Sequence, residues 1–217
     1  MIALRKSIET LAELQRQLGD IPASRIRFRP VPGAATEKDI LDVQRKTDRL
    51  CELVDGTLVE KAMGYQESFL GIRLAVFLDA FITPRKLGLL AGSDGMLKLA
   101  EGLVRIPDVS FISWDRLPER KVPKAPIPAL APNLAVEILS ASNTIAEMKR
   151  KLREYFKAGV SLVWIIDPEA RTVAVYTSPK NPRTLDESQT LDGGDVLPGF
   201  ELNLHTLFAE LDLVAPE

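Results

Sequence analysis

The sequence has little cysteine and histidine, the residues on which many catalytic and metal sites depend. It contains one of each, Cys51 and His205, among 217 residues. One cysteine excludes an intramolecular disulfide, and the two residues together are too few for a zinc site built from several Cys and His ligands. A histidine-based catalytic triad would need His205, and no G-x-S-x-G motif accompanies it. Any metal ion would have to be held by carboxylates, which favours hard ions such as Mg²⁺ or Mn²⁺.

Long apolar runs and a surplus of basic residues are also missing. No run approaches the ~20 apolar residues that cross a bilayer, and the charged N-terminal stretch does not fit a secretory signal. We therefore expect no membrane association and, with a single cysteine, a reducing cytoplasm. Lysine and arginine number 28 against 30 aspartate and glutamate, which gives a net charge of −2. This balance counts against tight DNA binding, although a neutral total could conceal a local basic face.

Hydrophobic residues make up 46% of the chain, which is enough for one compact domain with a core. Residues 1–35 are expected to form an appendage. It consists of an amphipathic helix, with Leu11, Leu14 and Leu18 at three-to-four spacing, and an extended connector. Residues 36–217 are expected to form the main domain.

Patterning in the first part of that domain predicts two helices and a hairpin. Thr36 and Asp39 form a capping pair at the start of one helix, and Asp55-Gly56 is typical of a hairpin turn. A second helix is predicted over residues 65–83. Its expected apolar stripe is Phe69, Ile72, Val76, Ala80 and Phe81.

Beyond the second helix, the patterns predict short strands, a proline-rich loop, a buried strand, a helix and a further hairpin. The segments are LGLLAGSDGMLKLAEGLVRIPDVSFISW for the short strands, NLAVEILS for the buried strand, NTIAEMKRKLREYFKAG for the helix, and VSLVWIID with RTVAVYTS on either side of Pro168. A short helix near residues 205–212 ends the pattern. This order predicts an α/β or α+β domain whose mixed β-sheet is flanked by helices.

Two carboxylates interrupt segments that otherwise contain apolar residues. Asp108 lies in RIPDVSFIS and Glu137 in LAVEIL, where Glu137 shares one face of the strand with Leu139. An unpaired charge on such a strand costs several kcal/mol to bury, so each carboxylate should face a partner, a metal ion or a cleft. Pairing with an arginine inside the sheet is the alternative, and the local pattern does not choose between them.

Two carboxylates on neighbouring strands can hold a divalent cation that activates water and stabilises the charge on a phosphate. A nearby lysine can orient the water or neutralise the phosphate. Pro107-Asp108, followed after 28 intervening residues by Glu137-Ile138-Leu139, resembles the PD-(D/E)XK nuclease signature. The sequence departs from that signature at Leu139, which stands where the usual pattern has its lysine.

Six segments in the same order extend the similarity over roughly residues 36–210. They are ELVDGTLVEK, RIPDVSFIS, LAVEILSASNT, KLREYFKAGVSLVWIIDP, RTVAVY and LDGGDVLPGF. Together they resemble the Uma-two (Uma2) family of restriction endonucleases. The resemblance implies a restriction-endonuclease-like core with Asp108 and Glu137 as the metal pair. It also implies that the nuclease lysine has moved to the next helix as Lys151, and that Glu52 is a further acidic site residue.

Each of the supporting residues also has a structural interpretation. Lys151 could pair with Glu147 one turn earlier on the helix, and Lys149 could be the site lysine in its place. Tyr155 fits a core position with a hydrogen-bonded hydroxyl, and Glu52 could be a surface acid beside the hairpin turn. Glu147 is expected to complete a capping box at the helix start.

The expected function is hydrolysis of DNA phosphodiester bonds by an endonuclease that depends on Mg²⁺ or Mn²⁺. The site would consist of Asp108, Glu137, Lys151 and Glu52. One rival hypothesis is a catalytically silent nuclease-fold protein that acts through binding, for instance as a homodimer; the acidic balance and the missing strand lysine favour it. Another is a metal-dependent hydrolase of nucleotides or other phosphoesters, which needs less basic surface.

Overall fold

The computed structural model describes residues 8–62 and 64–213. The helices are α1 (Leu11–Leu18), α2 (Glu37–Thr47), α3 (Tyr65–Arg85), α4 (Ile145–Lys157) and α5 (Leu204–Ala209). The strands are β1 (Cys51–Val54), β2 (Thr57–Glu60), β3 (Gly88–Ala91), β4 (Leu97–Ala100), β5 (Leu103–Arg105), β6 (Val109–Ser113), β7 (Leu134–Ile138), β8 (Leu162–Asp167), β9 (Thr172–Tyr176), β10 (Arg183–Asp186), β11 (Thr190–Gly193) and β12 (Leu197–Asn203). The beginning of the predicted N-terminal helix, residues 1–7, lies outside the described residues.

The strands form a mixed six-stranded sheet, an antiparallel four-stranded sheet and a separate pair, β11–β12. The order in the larger sheet is β10-β9-β8-β7-β6-β3, and the order in the smaller sheet is β2-β1-β5-β4. Within the larger sheet, β7 and β8 are parallel and connected through α4, while the other neighbours are antiparallel. The predicted mixed sheet flanked by helices is therefore confirmed.

Helices cover both faces of the larger sheet. One face packs against α3 and α5 through side chains that include Val136 and Ile138, and the other packs against α4 through Ala135 and Val163. Because side chains alternate along a strand, Glu137 lies on the α4 face while its two neighbours point to the α3 face. The alternation in LAVEIL thus fixes the direction of this carboxylate.

The capping signal at Thr36 and the two hairpin signals are confirmed. At the start of α2, the Thr36 amide donates a hydrogen bond of 2.8 Å to the Asp39 carboxylate. Asp55 and Gly56, both at positive φ, form the turn between β1 and β2. The hairpin predicted around Pro168 forms between β8 and β9.

Helix α3 buries a different face from the predicted one. Ile72 and Val76, from the predicted stripe, are 62% and 50% exposed. The buried residues are Leu70, Gly71, Leu74, Leu78 and Ile82. The predicted stripe is wrong because this helix is apolar on two faces, and periodicity alone could not show that the leucines at every fourth position face the sheet.

None of the helices in the described part of the chain combines the length and the apolar composition that a membrane span needs.

The N-terminal segment packs onto the β1–β2 hairpin and the start of α4. Leu14 and Leu18 of α1 are buried in a cluster with Val54 and Val59 of the hairpin, whereas Leu11 is exposed. Gly19 ends α1 at a φ of 93°, and a Cβ atom there would lie 2.7 Å from the backbone nitrogen of Glu147 in α4. This close approach requires glycine and brings α1 against the helix that carries Lys151.

Candidate active site

The four predicted site residues come together where the two sheets meet. Glu52 lies on β1 of the smaller sheet, Asp108 immediately precedes β6, Glu137 lies on β7, and Lys151 lies on α4. These four residues, together with their partners Lys61, Arg105 and Tyr155, are called the site cluster below. Its members come from separate parts of the chain, so the cluster exists only in the folded protein.

Asp108 and Glu137 are cross-strand neighbours. The antiparallel β6–β7 register pairs Val109 with Val136, so Asp108, just before Val109, lies opposite Glu137, just after Val136. The Asp108 amide donates to the Val136 carbonyl at 2.9 Å, and the Ile138 amide donates to Asp108 Oδ2 at 2.7 Å. The backbone of β7 therefore fixes the Asp108 carboxylate beside Glu137.

Helix α4 supplies both side-chain partners of Glu137. Lys151 Nζ lies 2.8 Å from Glu137 Oε2, and the Tyr155 hydroxyl donates to Oε1. The two donors lie one turn apart on the face of α4 directed at β7. The strand position that usually carries the lysine is Leu139 in this chain, and α4 brings Lys151 to Glu137 instead. Tyr155 is both a core residue and a member of the site cluster.

The alternatives for this lysine lack the contacts that they would need. Lys149 is exposed on the outer side of α4. Glu147 does not pair with Lys151, because its carboxylate accepts hydrogen bonds from Arg25 at 2.7 and 3.0 Å. The expected capping box at Thr144 is only half formed: the Thr144 hydroxyl accepts from the Glu147 amide, but the carboxylate turns to Arg25.

Glu52 is fully buried, so the surface interpretation of this residue is also wrong. Its Oε2 accepts from Arg105 Nη1 at 2.6 Å. Its Oε1 accepts from the Ile106 amide at 3.1 Å and lies 3.4 Å from Lys151 Nζ. The arginine pairing considered for the other two carboxylates thus occurs at Glu52, and Lys151 contacts Glu52 and Glu137 at once.

Sequence reasoning missed two cations of the site cluster, Lys61 and Arg105. Lys61 Nζ lies 2.9 Å from Asp108 Oδ1, and its side chain is 4% exposed. The same ammonium donates to the carbonyls of Ile106 and Ser93, at 2.7 and 3.1 Å. The sequence offered one signal for each: a basic residue beside a short apolar segment, Lys61 in LVEK and Arg105 in LVRIPD.

The two buried glutamates differ in their electrostatics. Burial acts to raise the pKa of Glu52, but Lys151 and Arg105 outweigh it and hold the pKa well below its ordinary value. Burial raises the pKa of Glu137, and Lys151 offsets this only in part because Asp108 adds further repulsion. At Lys151, burial is outweighed by Glu137 and Glu52, which raise the pKa of the ammonium. Burial and Glu137 raise the pKa of Tyr155.

These shifts leave a specific chemical arrangement. At neutral pH Lys151 and Tyr155 keep their protons and can donate hydrogen bonds, and Glu52 is ionised. Three carboxylates face three cations: Glu52, Asp108 and Glu137 against Lys61, Arg105 and Lys151. Even so, the negative charge on Glu137 is under-compensated, because Lys151 is shared with Glu52 and the Asp108 carboxylate lies beside it.

A hard divalent cation fits this donor set at Asp108 and Glu137. Magnesium is commonly bound through one or two carboxylates, with water and substrate phosphate as its remaining ligands. The raised pKa of Glu137 indicates a carboxylate that additional positive charge would stabilise. Among the described residues no group of three or more His, Cys, Asp or Glu side chains is arranged to hold a metal ion.

A mixed sheet with carboxylates on neighbouring strands, flanked by a helix that delivers a lysine, defines a restriction-endonuclease-like protein. A family model described as "Putative restriction endonuclease" matches residues 37–205, and the chain belongs to this family, Uma2. The family inferred from the sequence segments is confirmed.

A solved structure has the same fold. It is a crystal structure described as that of a putative nuclease belonging to DUF820 from Anabaena variabilis. The two chains are 21% identical, with a TM-score of 0.68 over 76% of this chain and 93% of the other. No curated protein sequence matches the chain.

Proposed function

We propose that this protein is a metal-dependent endonuclease that hydrolyses phosphodiester bonds of DNA. The observation that carries the proposal is the adjacent pair Asp108 and Glu137, with the Lys151 ammonium 2.8 Å from Glu137. Carboxylates on neighbouring strands beside a lysine are the groups that phosphodiester hydrolysis with a metal ion requires. Membership of the Uma2 family supports the same reaction.

Asp108 and Glu137 would hold Mg²⁺ or Mn²⁺, which when bound supplies an activated water and offsets charge on the phosphate. Lys151 stays protonated and donates hydrogen bonds, so it can orient the attacking water or a phosphate oxygen. Tyr155 holds the second oxygen of Glu137 and thereby fixes that carboxylate. Glu52 acts through Lys151, since its carboxylate and Arg105 keep the ammonium in place. Glu52 is therefore a positioning residue in this proposal.

One observation favours the catalytically silent rival. Every oxygen of the Asp108 and Glu137 carboxylates already accepts a hydrogen bond or ion pair from the protein: Lys61, the Ile138 amide, Lys151 and Tyr155. Such a self-neutralised cluster could serve only to join the two sheets, leaving the protein to act by binding, for instance as a homodimer. Nuclease activity requires that a divalent cation bind in addition to these donors or replace one of them.

The setting of the reaction is part of the proposal. We place it in the cytoplasm because Cys51 is a free, buried thiol, as is usual for proteins of a reducing compartment. Burial raises the pKa of this thiol to about 11, so Cys51 has no nucleophilic role in the reaction.

The test is a cleavage assay on single- and double-stranded DNA, and on nucleotides, in Mg²⁺, Mn²⁺, Ca²⁺ or EDTA. Wild type should cleave DNA with Mg²⁺ or Mn²⁺ and fail with Ca²⁺ alone, because calcium's looser coordination positions water poorly. Asp108→Asn is the inactive variant, and Asp195→Asn, at an exposed aspartate, is the matched control. Equal cleavage by wild type and Asp108→Asn would identify a contaminating nuclease and end the proposal.

A further inference from the structure

A basic groove lies between α1 and α4, on the side of α4 away from the site cluster. Its volume is about 500 Å³. Five cationic side chains line it, Arg16, Lys149, Arg150, Arg153 and Lys157, beside one carboxylate, Glu154. We call this surface the α1–α4 basic face.

Four of the five cations are available to an external anion. Arg150 is neutralised inside the protein, with Glu154 and Asp55 each 2.7 Å away. Arg16, Lys149, Arg153 and Lys157 are exposed, and within residues 8–62 and 64–213 none of them has an ion-pair partner. A chain with a net charge of −2 therefore concentrates unpaired positive charge on one surface.

The arrangement along α4 is a row. Lys149, Arg153 and Lys157 follow one another at intervals of four residues, which places them on one side of the helix about 6 Å apart along its axis. Like charges at this spacing repel one another and destabilise a helix. A row that the helix maintains against its own repulsion fits a chain of anions better than a single anion.

The basic face extends toward the end of β7 through Lys149. This lysine also lines a second groove of about 330 Å³, on the other side of the N-terminal half of α4. Leu139 and Ser140 line that second groove, and they directly follow Glu137-Ile138 at the end of β7. An extended polyanion that lies along the row of cations can therefore pass Lys149 and reach Leu139, two residues beyond Glu137.

We propose that the α1–α4 basic face binds the phosphate backbone of nucleic acid, with Arg16, Lys149, Arg153 and Lys157 as the contacting residues. The inference rests on the proposed function, for which it supplies the substrate-binding surface. It also explains how a protein of slightly acidic composition holds a polyanion, since counter-ion release depends on the local row of cations and not on the total charge.

The experiment measures binding apart from cleavage, by fluorescence anisotropy of labelled single- and double-stranded DNA in EDTA. Wild type is compared with the quadruple variant Arg16→Gln, Lys149→Gln, Arg153→Gln, Lys157→Gln. The control carries the same change of net charge at four exposed lysines elsewhere: Lys38→Gln, Lys46→Gln, Lys124→Gln and Lys180→Gln. Exposed substitutions of this kind change stability little, and circular dichroism verifies that both variants are folded.

Wild-type affinity for duplex DNA should fall steeply as salt rises from ~50 to ~200 mM, with each phosphate contact adding ~0.9 to the log–log slope. The quadruple variant should lose up to ~3.6 of that slope, and the control should keep it. Equal binding by the two variants, or no binding by wild type at low salt, would overturn the inference. Binding to vesicles of anionic lipid in place of DNA would also overturn it, since the face would then be a membrane contact.

The two proposals can fail separately. If wild type cleaves DNA and the quadruple variant binds and cleaves equally well, the basic face is not the substrate-binding surface, while the nuclease proposal stands. If wild type binds DNA through the basic face but does not cleave it in the presence of any of the metal ions, the nuclease proposal fails, while the binding inference stands.

Discussion

The two sheets each contribute buried carboxylates to one cluster, yet the two contributions are in opposite electrostatic states. On the side of the smaller sheet, Glu52 has Arg105, Lys151 and a backbone amide as partners, and its pKa is lowered. On the side of the larger sheet, Glu137 faces Lys151 and a neighbouring carboxylate, Asp108, and its pKa is raised. The two glutamates are nearly equally buried, so the surrounding charges cause the difference.

This contrast separates a supporting half from a reactive half. A carboxylate whose charge is balanced by neighbouring cations, as at Glu52, gains little from a further cation. A carboxylate whose charge is under-compensated gains most from one, which is the state expected of a metal ligand without its ion. Under the proposed function, this difference supports a metal site at Asp108 and Glu137, with Glu52 holding Lys151 in place.

The largest expected effect is on activity at the reactive half. Asp108→Asn and Glu137→Gln should each reduce DNA cleavage by at least about a thousandfold, equivalent to about 4 kcal/mol, because each removes charge from the metal ligands. Thermal stability of Glu137→Gln should stay unchanged or rise, since one of two mutually repelling carboxylates is gone. Asp108→Asn should lower it, because the buried Lys61 ammonium loses its ion-pair partner. Cleavage rates and thermal unfolding of both variants test this. A Glu137→Gln variant destabilised by several kcal/mol would indicate a structural ion pair.

The supporting half should respond in the opposite way. Glu52→Gln should lower the free energy of unfolding by about 3–5 kcal/mol, because Arg105 and Lys151 would lose a buried partner. Urea unfolding measures the change, with the exposed Glu201→Gln as the matched control. A loss below about 1 kcal/mol, within the range of an exposed ion pair, would remove the distinction between the two halves.

Lys151 contacts both halves, so its loss should combine both effects. Lys151→Ala should reduce the rate of cleavage by about a hundred- to a thousandfold, as for loss of a donor that stabilises developing charge. It should leave Mn²⁺ binding largely intact, measured by titration calorimetry. The control is Lys180→Ala, which removes an exposed lysine outside the α1–α4 basic face. A variant that loses Mn²⁺ binding as well would place Lys151 among the groups that organise the metal site.

The smallest effect, and the sharpest comparison, is the pH dependence of stability. For Glu52 the lowered pKa adds stability at pH values above 4.5, the ordinary pKa of a glutamate. This stability is lost as pH falls through the folded-state pKa. For Glu137 the raised pKa has the opposite sign: its contribution is present below 4.5 and is lost as pH rises through the folded-state pKa. The advantage of wild type over Glu52→Gln should therefore shrink in acid.

Unfolding of Glu137→Gln over the same pH range completes that test. Relative to wild type, this variant should gain stability as pH rises above 4.5, because glutamine has no charge to bury. Urea midpoints across the range give both trends from one series of measurements. If the two variants follow wild type with the same slope, the two carboxylates do not differ.

The sequence predicted those features that depend on neighbouring residues. The cap at Thr36, the Asp55-Gly56 turn and the alternation that directs Glu137 toward α4 all follow from local chemistry. Lys61 and Arg105 could not be found in this way, because Lys61 reaches Ile106 across 45 positions and Arg105 reaches Glu52 across 53. Their roles depend on how the two sheets meet.

The buried face of α3 was missed for a related reason. Ile72 and Leu74 are similar in hydrophobicity, and only the packing of the sheet against the helix decides which of them is buried. Lys151 came from the resemblance to the Uma2 family and not from helical geometry, which left Lys149 equally acceptable. The structure distinguishes the two lysines by their contacts, since only Lys151 reaches Glu137.

The most direct test of the account is a crystal of wild-type protein soaked in Mn²⁺ and examined for anomalous density at the site cluster. We predict one peak within ligand distance of both Asp108 and Glu137, with Glu52 still bound to Arg105. No peak there, with Lys61 still on Asp108 and Lys151 still on Glu137, would contradict the metal-dependent mechanism. A peak on Glu52 would contradict the division of the site into a supporting and a reactive half.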